Sequence, residues 1–231
     1  MQLNGKTAIV TGASKGIGKA ITLALLDKGV NVAGWSRSNP NINHPSFSFI
    51  QTDIRKSEQV DAAFEKTMKL FGSQIHILVN NAGLGIFSKL EETPDESWHT
   101  MFDTNVHGLF YCTRKVIPVM KEQQRGHLIN ISSIAGLTGI EEASGYCATK
   151  FAVRGISQSL FKEVRKNNIK VTCICPGSVN TDFFENVEDI TANETMLHPK
   201  DIAASVVHIL ETPDNYVTVE VELRPINPRY S

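Results

Sequence analysis

Thr11-Gly12-Ala13-Ser14-Lys15-Gly16-Ile17-Gly18 follows the short apolar run Thr7-Ala8-Ile9-Val10 and leads into a segment of helical periodicity over 16–28, with Gly29 as its stop. Gly12, Gly16 and Gly18 let the backbone turn tightly and approach a diphosphate closely. A helix starting there presents free N–H groups and the positive end of its dipole. A glycine triad alone is equally an ordinary tight turn, but here strand, loop and helix come in the order that nucleotide binding requires. The spacing is Gly-x-x-x-Gly-x-Gly rather than the commoner Gly-x-Gly-x-x-Gly.

Working outward, short apolar runs alternate with longer helix-period segments. Strands are predicted over 7–10, 30–35, 46–51, 75–79, 127–132, 170–175 and 216–223. Helices are predicted over 16–28, 57–70, 93–120, 145–166 and 199–210. The second carries Val60, Phe64, Thr67, Met68 and Phe71 on one face. Thr93-Pro94-Asp95-Glu96 reads as a start signal, with Thr93 as cap, Pro94 in the first turn and Glu96 closing a capping box. Several strands are near-continuously apolar, as in a sheet covered by helices on both faces, hence parallel. The alternation predicts an α/β chain: a three-layer doubly wound Rossmann fold with a seven-stranded parallel sheet, residues 1–231 forming a single domain. Residues 38–45, rich in Asn and Pro, read as a surface loop.

The composition is that of a globular protein, 41% hydrophobic and 20% charged. A net charge of −1 and a pI near 6.7 point to no nucleic-acid partner. No apolar run is long enough to span a membrane, and Met1-Gln2-Leu3-Asn4-Gly5-Lys6 has no signal character, so the chain is read as cytoplasmic. Cys112, Cys147, Cys173 and Cys175 form no Cys-x-x-Cys pair and have no histidine cluster, so they are read as core thiols and no metal site is expected. Cys173 and Cys175, two apart in a strand, share one face.

The glycine loop resembles that of the short-chain dehydrogenase/reductase family. The resemblance continues through Asp53, Asn80-Asn81-Ala82-Gly83, Asn105, Ser133, Tyr146-Cys147-Ala148-Thr149-Lys150 and Pro176-Gly177, in family order over nearly the whole chain. It implies that Gly12, Ser14, Lys15, Gly16, Ile17 and Gly18 cradle a nicotinamide dinucleotide. The carboxylate of Asp53 would accept from the adenine amino group, with Ile54 beside the ring. Asn80 would steady the sheet, with Ala82 and Gly83 letting the ribose lie close. Pro176 and Gly177 would shape the nicotinamide pocket, and Val179 and Thr181 would meet the carboxamide and nearby phosphate. At the end of the second strand, Gly34-Trp35-Ser36-Arg37 has no acid to meet a ribose 2′-hydroxyl. Arg37 can fork a 2′-phosphate, Lys15 adds a cation and Ser36 a hydroxyl, so NADP(H) is the expected cofactor.

Tyr146 and Lys150 lie one helical turn apart on one face. A free phenol near pKa 10 exchanges protons poorly at neutrality, and a neighbouring cation is expected to lower that value. Ser132 and Ser133 compete for one role; the family interval selects Ser133 to hold the substrate oxygen. Asn105 interrupts a helix it disfavours. That could be a local irregularity, but the resemblance implies a distortion carrying a water-linked proton path to Lys150. The catalytic group it implies is Asn105, Ser133, Tyr146 and Lys150. Hydride from NADPH would reach a carbonyl carbon, Ser133 would orient the oxygen and Tyr146 would protonate it.

Substrate contacts are expected from 84–87, 137–142 and a short lid over 179–196, where Phe183 and Phe184 are either a substrate face or packing. A small carbonyl or alcohol compound, or a 3-oxoacyl thioester, is the expected substrate. The family's broad carbonyl reductases share a C-terminus similar to 222–228. Assembly as a homodimer or homotetramer is expected through the two long helices, with Phe102, Val106, Phe110 and Phe151 as candidates. The alternative is an NADP-binding regulator that has lost catalysis.

Overall fold

The computed structural model describes residues 1–184 and 192–228. Among them, seven strands form one sheet: β1 (Thr7–Thr11), β2 (Asn31–Ser36), β3 (Phe47–Gln51), β4 (Ile77–Asn80), β5 (Gly126–Ile131), β6 (Ile169–Pro176) and β7 (Glu220–Leu223). The order across it is β3-β2-β1-β4-β5-β6-β7, and every pairing is parallel. Chain direction across the sheet reverses between β1 and β4. In an open α/β sheet, ligands settle in the crevice that this switch opens at the carboxyl ends of the strands.

Alternation along each strand divides the core into two layers. Ala8, Val10, Val32, Ile77, Val79, Ile129 and Ile174 face helices α1 (Gly16–Asp27) and α6 (Pro199–Glu211). Ile9, Ala33, Leu78, Leu128 and Val171 face α2 (Ser57–Phe71), α4 (Gly108–Glu122) and α5 (Ser144–Val164). Val60, Phe64 and Thr67 are buried on α2, as its pattern predicts. The Thr67 hydroxyl accepts the indole N–H of Trp35 at 3.1 Å, which satisfies the one polar atom of a fully buried tryptophan. Gly29 ends α1 at φ +74°. Its N–H reaches the Leu26 carbonyl at 2.9 Å and that of Val30 reaches Leu25 at 3.1 Å, a Schellman closure.

Most boundaries shift by a residue or two from the sequence reading, and three differences have a visible cause. The helix expected from Thr93 begins instead as α3 (Asp95–Phe102), with Pro94 as its extended cap. The Thr93 hydroxyl turns back to the Lys89 carbonyl at 2.9 Å, so the capping box does not form. The long helix is broken by a π turn at Asp103–His107 before α4 resumes. β7 starts at Glu220 rather than 216, and just before it the Thr218 carbonyl accepts a side chain, the Thr172 hydroxyl, at 2.6 Å. All four cysteines are buried and free, with Cys173 and Cys175 sulfurs 4.0 Å apart on one face.

His127 is wholly buried on β5 with its Nε2 against the Thr172 hydroxyl at 2.9 Å. Burial pushes its imidazole down to about 3. The unfolded chain takes up this proton near pH 6.5, whereas the folded chain does not until far lower pH. Stability from His127 is therefore complete above about pH 6.5 and declines as the pH falls below it. Urea unfolding of His127→Gln should show a shallower decline than the parent between pH 6 and 4, by roughly 1.4 kcal/mol per pH unit. Parallel curves would show that His127 is not held neutral.

Candidate active site

The glycine loop sits at the switch point. Gly12 and Gly16 have φ of +67° and +55°, conformations that side chains resist. A Cβ on Gly12 would stand 2.8 Å from the Ala82 backbone, and one on Gly18 would stand 2.2 Å from the Gly12 carbonyl. Loop, helix and the strand after the switch thus touch through backbone and the Asn81 carboxamide. Lys15 is the N-cap of α1 and makes no side-chain cap bond, so the first N–H groups of the helix have no side-chain acceptor at the cap. The residues present fit a diphosphate.

Asn81, to which the sequence reading gave no role, braces this loop. Its carboxamide donates to the Thr11 and Gly12 carbonyls at 3.0 and 3.3 Å, and the Thr11 hydroxyl accepts the N–H groups of Asn81 and Ala82, both at 3.0 Å. Its neighbour Asn80 turns into the layer beneath. That amide donates to Thr113 at 3.0 Å and to Asn130 at 2.9 Å, and Asn130 donates on to Ser157 at 2.8 Å. Asn80 is therefore a strut between β4, β5, α4 and α5, rather than a side chain facing the cleft.

Beyond β2, Arg37 joins Gln51, Asp53 and Gln59 around a hollow of about 340 Å³. The Ser36 hydroxyl donates to the Ser38 carbonyl at 2.9 Å, so its proton is already placed. The guanidinium of Arg55 grips Asp53, with Nη2 at 2.6 Å from Oδ2, and holds that carboxyl below its ordinary range. Ile54 is buried against Gly108, where a Cβ would meet its Cδ1 at 2.5 Å. Lys15 is paired with Asp182 at 3.0 Å, both side chains more than half exposed at 68% and 54%.

At the far side of β4 the π turn carries Asn105 inward. Its Oδ1 accepts the Leu84 N–H at 2.9 Å, while its Nδ2 donates to the Leu84 carbonyl at 2.8 Å and to the Thr149 hydroxyl at 2.9 Å. Gly83 is pressed against this point: a Cβ there would lie 3.2 Å from Asn105 Oδ1 and 3.5 Å from Lys150 Nζ. Thr149 and Lys150 belong to α5, so one carboxamide ties the β4 loop to the helix bearing Tyr146.

The two serines part company as alternation requires. Ser132 donates to the Lys150 carbonyl at 3.0 Å and is structural. Ser133 accepts the Ala135 N–H at 3.1 Å, and its hydroxyl hydrogen-bonds the Tyr146 phenol. Lys150 donates to the Ile131 carbonyl at 3.1 Å, and its Nζ is 5.6 Å from the centre of the Tyr146 ring. Burial pushes the phenol up to about 12, and the Ser133 hydrogen bond only partly offsets this. Burial pushes Lys150 down to about 8. Burial thus dominates the phenol, and with Lys150 Nζ 5.6 Å from the ring centre the value stands above the ordinary one rather than below it as expected.

After β6, Pro176 is buried in the strand and the Gly177 N–H bonds the Leu223 carbonyl at 2.7 Å. Val179 bridges to Leu197. Thr181 Cγ2 would be 3.4 Å from a Cβ on Gly16, so this segment leans on the glycine loop. The middle of the expected lid, 185–191, and the side chain of Phe184 lie outside what is described. Of the four interface candidates, Phe110 and Phe151 are exposed, while Phe102 stacks on Trp98 at 5.0 Å. Among the described residues, no helix is long and apolar enough to cross a membrane, and no cluster of metal-ligating side chains occurs.

A doubly wound parallel sheet, a glycine-lined diphosphate cradle at its switch point and a buried Tyr/Ser/Lys group beside it define a dinucleotide-type oxidoreductase. The chain belongs to the short chain dehydrogenase family, which residues 6–191 match, and it is an oxidoreductase of that family. It is 37% identical to an uncharacterised oxidoreductase of Staphylococcus saprophyticus, over 98% of this chain and 100% of that one. Among solved structures it is similar to a serine dehydrogenase complexed with NADP+, with a TM-score of 0.89, 29% identity and 97% of each chain covered. It also resembles an alcohol dehydrogenase of the archaeon Thermococcus sibiricus complexed with 5-hydroxy-NADP, with a TM-score of 0.85 and 28% identity over 97% of this chain and 99% of that one.

The Asn81 brace is open to a direct test. Asn81→Ala should lower unfolding free energy by about 1–3 kcal/mol, since it strips donors from two loop carbonyls. Gly18→Ala should cost more, because the clash is with backbone that cannot rotate away. Chemical denaturation checks both; an unchanged midpoint for either would contradict the geometry.

Proposed function

We propose that the protein is an NADPH-dependent reductase of ketone or aldehyde carbonyls, acting as one domain of residues 1–231, with Tyr146 as general acid and base. The observation that supports it most is the buried phenol of Tyr146, hydrogen-bonded to Ser133 and one turn from Lys150, beside the glycine cradle. NADPH, when bound, supplies the hydride.

The chain's own residues then have distinct tasks. Ser133 accepts from the Ala135 N–H, which leaves its proton to hold the carbonyl oxygen of a substrate. Tyr146 donates its proton as that oxygen gains charge. Lys150 spends one N–H on the Ile131 carbonyl and keeps two for a ribose and for refilling the tyrosine. Asn105, with its side chain locked to Leu84 and Thr149, keeps the π turn open as the way in for protons. With the phenol near 12 and the ammonium near 8, both groups hold protons at neutral pH, the state that reduction consumes.

For the adenosine end, Arg37 at the exit of β2 is the group that would fork a 2′-phosphate. Lys15 is a second cation, since an exposed pair such as Lys15–Asp182 gives way at little cost. Ser36 is left out of this reading. Gly12, Ser14, Gly16, Ile17 and Gly18 would hold the diphosphate, and Asp53, Ala82, Gly83, Gly177, Val179 and Thr181 would line the rest. Phe110 and Phe151 would bury in a homodimer or homotetramer, working in the cytoplasm. Nothing favours the silent regulator, because the four side chains that catalysis needs are brought together.

Three outcomes are expected. Tyr146→Phe should lose at least about 10²–10⁴-fold in NADPH-dependent reduction while NADPH affinity, read by fluorescence titration, stays the same. Near-normal turnover would refute the mechanism. Reduction should be level in kcat/KM below about pH 8 and fall above it as Lys150 loses its proton, a fall that Lys150→Arg should remove. NADPH should be preferred to NADH in the parent, and Arg37→Ala should erase most of that preference; equal efficiency in the parent would overturn the assignment of Arg37.

A further inference from the structure

The hollow beyond β2 has one arginine and one acid on its wall, Arg37 and Asp53, and the two are not paired. Asp53 is taken instead by Arg55. Its Oδ1 accepts the Arg55 backbone N–H at 3.1 Å and Nε at 3.0 Å, while its Oδ2 accepts Nη2 at 2.6 Å and Nε at 3.1 Å. Both oxygens are thus engaged in the forked geometry that suits a guanidinium and a carboxylate. The Asp53 side chain is 15% exposed and that of Arg55 35%, so water screens the pair only in part. Backbone on both sides of the hollow is also held. Gln59 Oε1 accepts the Asp53 N–H at 2.8 Å, and Gln51 Nε2 donates to the Arg37 carbonyl at 3.2 Å. Among the described residues, no acid stands within ion-pair distance of the Arg37 guanidinium. Asp53 is nevertheless within its reach: after the Arg55 hydrogen bonds, which act most strongly, the field of Arg37 also helps to keep that carboxyl ionised.

We infer that Arg55 is a positioning residue for the 2′-phosphate of NADP(H): by holding Asp53 it leaves the Arg37 guanidinium unpaired and neutralises the carboxylate that would repel the phosphate. The inference rests on the reading of Arg37 as the phosphate fork, and Arg55 acts through Asp53 without touching the cofactor. Arg37 and Asp53 alone would give the wall no net charge; Arg55 makes it positive. A phosphate monoester carries about −1.5 to −2 charges at neutral pH, so this difference falls on the cofactor that has one. A carboxylate released from Arg55 would act against the phosphate twice, by repelling it and by competing for the same guanidinium. Lys15, the other cation assigned to this end, is already answered by Asp182 at 3.0 Å. NAD(H) carries an uncharged 2′-hydroxyl at this point and is insensitive to both effects. Arg55 therefore controls the difference between the two cofactors rather than the affinity for either adenosine moiety.

The test is calorimetric titration with NADP+ and with NAD+, which differ only in the 2′-phosphate, so that binding is read without turnover. The parent should bind NADP+ more tightly. Arg55→Ala should weaken NADP+ binding by about tenfold or more, the worth of a hydrogen-bonded charge. NAD+ binding should change by less than about threefold in the same variant. Adding Asp53→Asn to Arg55→Ala should restore NADP+ binding to within about threefold of the parent, because an amide neither repels the phosphate nor forms an ion pair with Arg37. Arg55→Lys, which keeps the charge without the fork, should lose less than Arg55→Ala. Equal weakening of both cofactors in Arg55→Ala, NADP+ binding as tight as in the parent, or no recovery in the double variant would overturn the inference and leave the reading of Arg37 intact. A parent that binds the two cofactors equally, or an Arg37→Ala variant that keeps the parent's ratio, would overturn that reading instead.

Discussion

Two ionisable side chains, Tyr146 and Lys150, are buried within one turn of α5, and much of the surrounding architecture serves to make that burial tolerable. Taking both from water raises the phenol and lowers the ammonium, and each shift opposes ionisation. What offsets the cost is hydrogen bonding with neutral partners: the Ile131 carbonyl for the lysine, the Ser133 hydroxyl for the tyrosine. Among the described residues, no acid is hydrogen-bonded to either.

That arrangement depends on α5 being held against the ends of β4 and β5. The π turn supplies the hold. One extra residue in the helical path lets Asn105 face inward, where it binds Leu84 on one side and Thr149 on the other. A second chain of amides and hydroxyls, Asn80–Asn130–Ser157, fixes the same elements deeper in the layer. Both are buried polar networks inside apolar packing, the kind that favour a single arrangement. One Asn80 oxygen stays unpartnered, the one imperfection in that chain.

The fold was legible because its signals are redundant: seven apolar runs, a glycine stop on α1 and unbroken burial along β1 and β5 all agree. Ser133 over Ser132 rested on the interval that the family resemblance supplies, since alternation says only that the two point opposite ways. What could not be read were choices between neighbours that spacing leaves equal. The resemblance points to Asn80 as the carboxamide that steadies the sheet, as its bonds to Thr113 and Asn130 do, but gives Asn81 no role; that Asn81 braces the glycine loop is set by the end of β4, which falls between them. Thr93 looked like a cap by type, yet its hydroxyl found the Lys89 carbonyl first. The converse occurs at α6, where Asp201 accepts the His198 N–H at 2.7 Å behind a residue seldom counted as a cap. The sign of the tyrosine shift was missed for a different reason. Sequence spacing shows that a cation lies one turn away but says nothing about how much water both groups lose, and here the water matters more.

An oxidised nicotinamide beside Tyr146 would bring a positive charge that favours the phenolate against the burial that opposes it. The measurement that reaches this claim most directly is a spectrophotometric titration of the Tyr146 phenolate, as the difference between the parent protein and Tyr146→Phe, with and without saturating NADP+. The account predicts that the phenol stays protonated up to about pH 12 in the free protein and ionises at distinctly lower pH when NADP+ is present. Identical titration curves in the two conditions would contradict it.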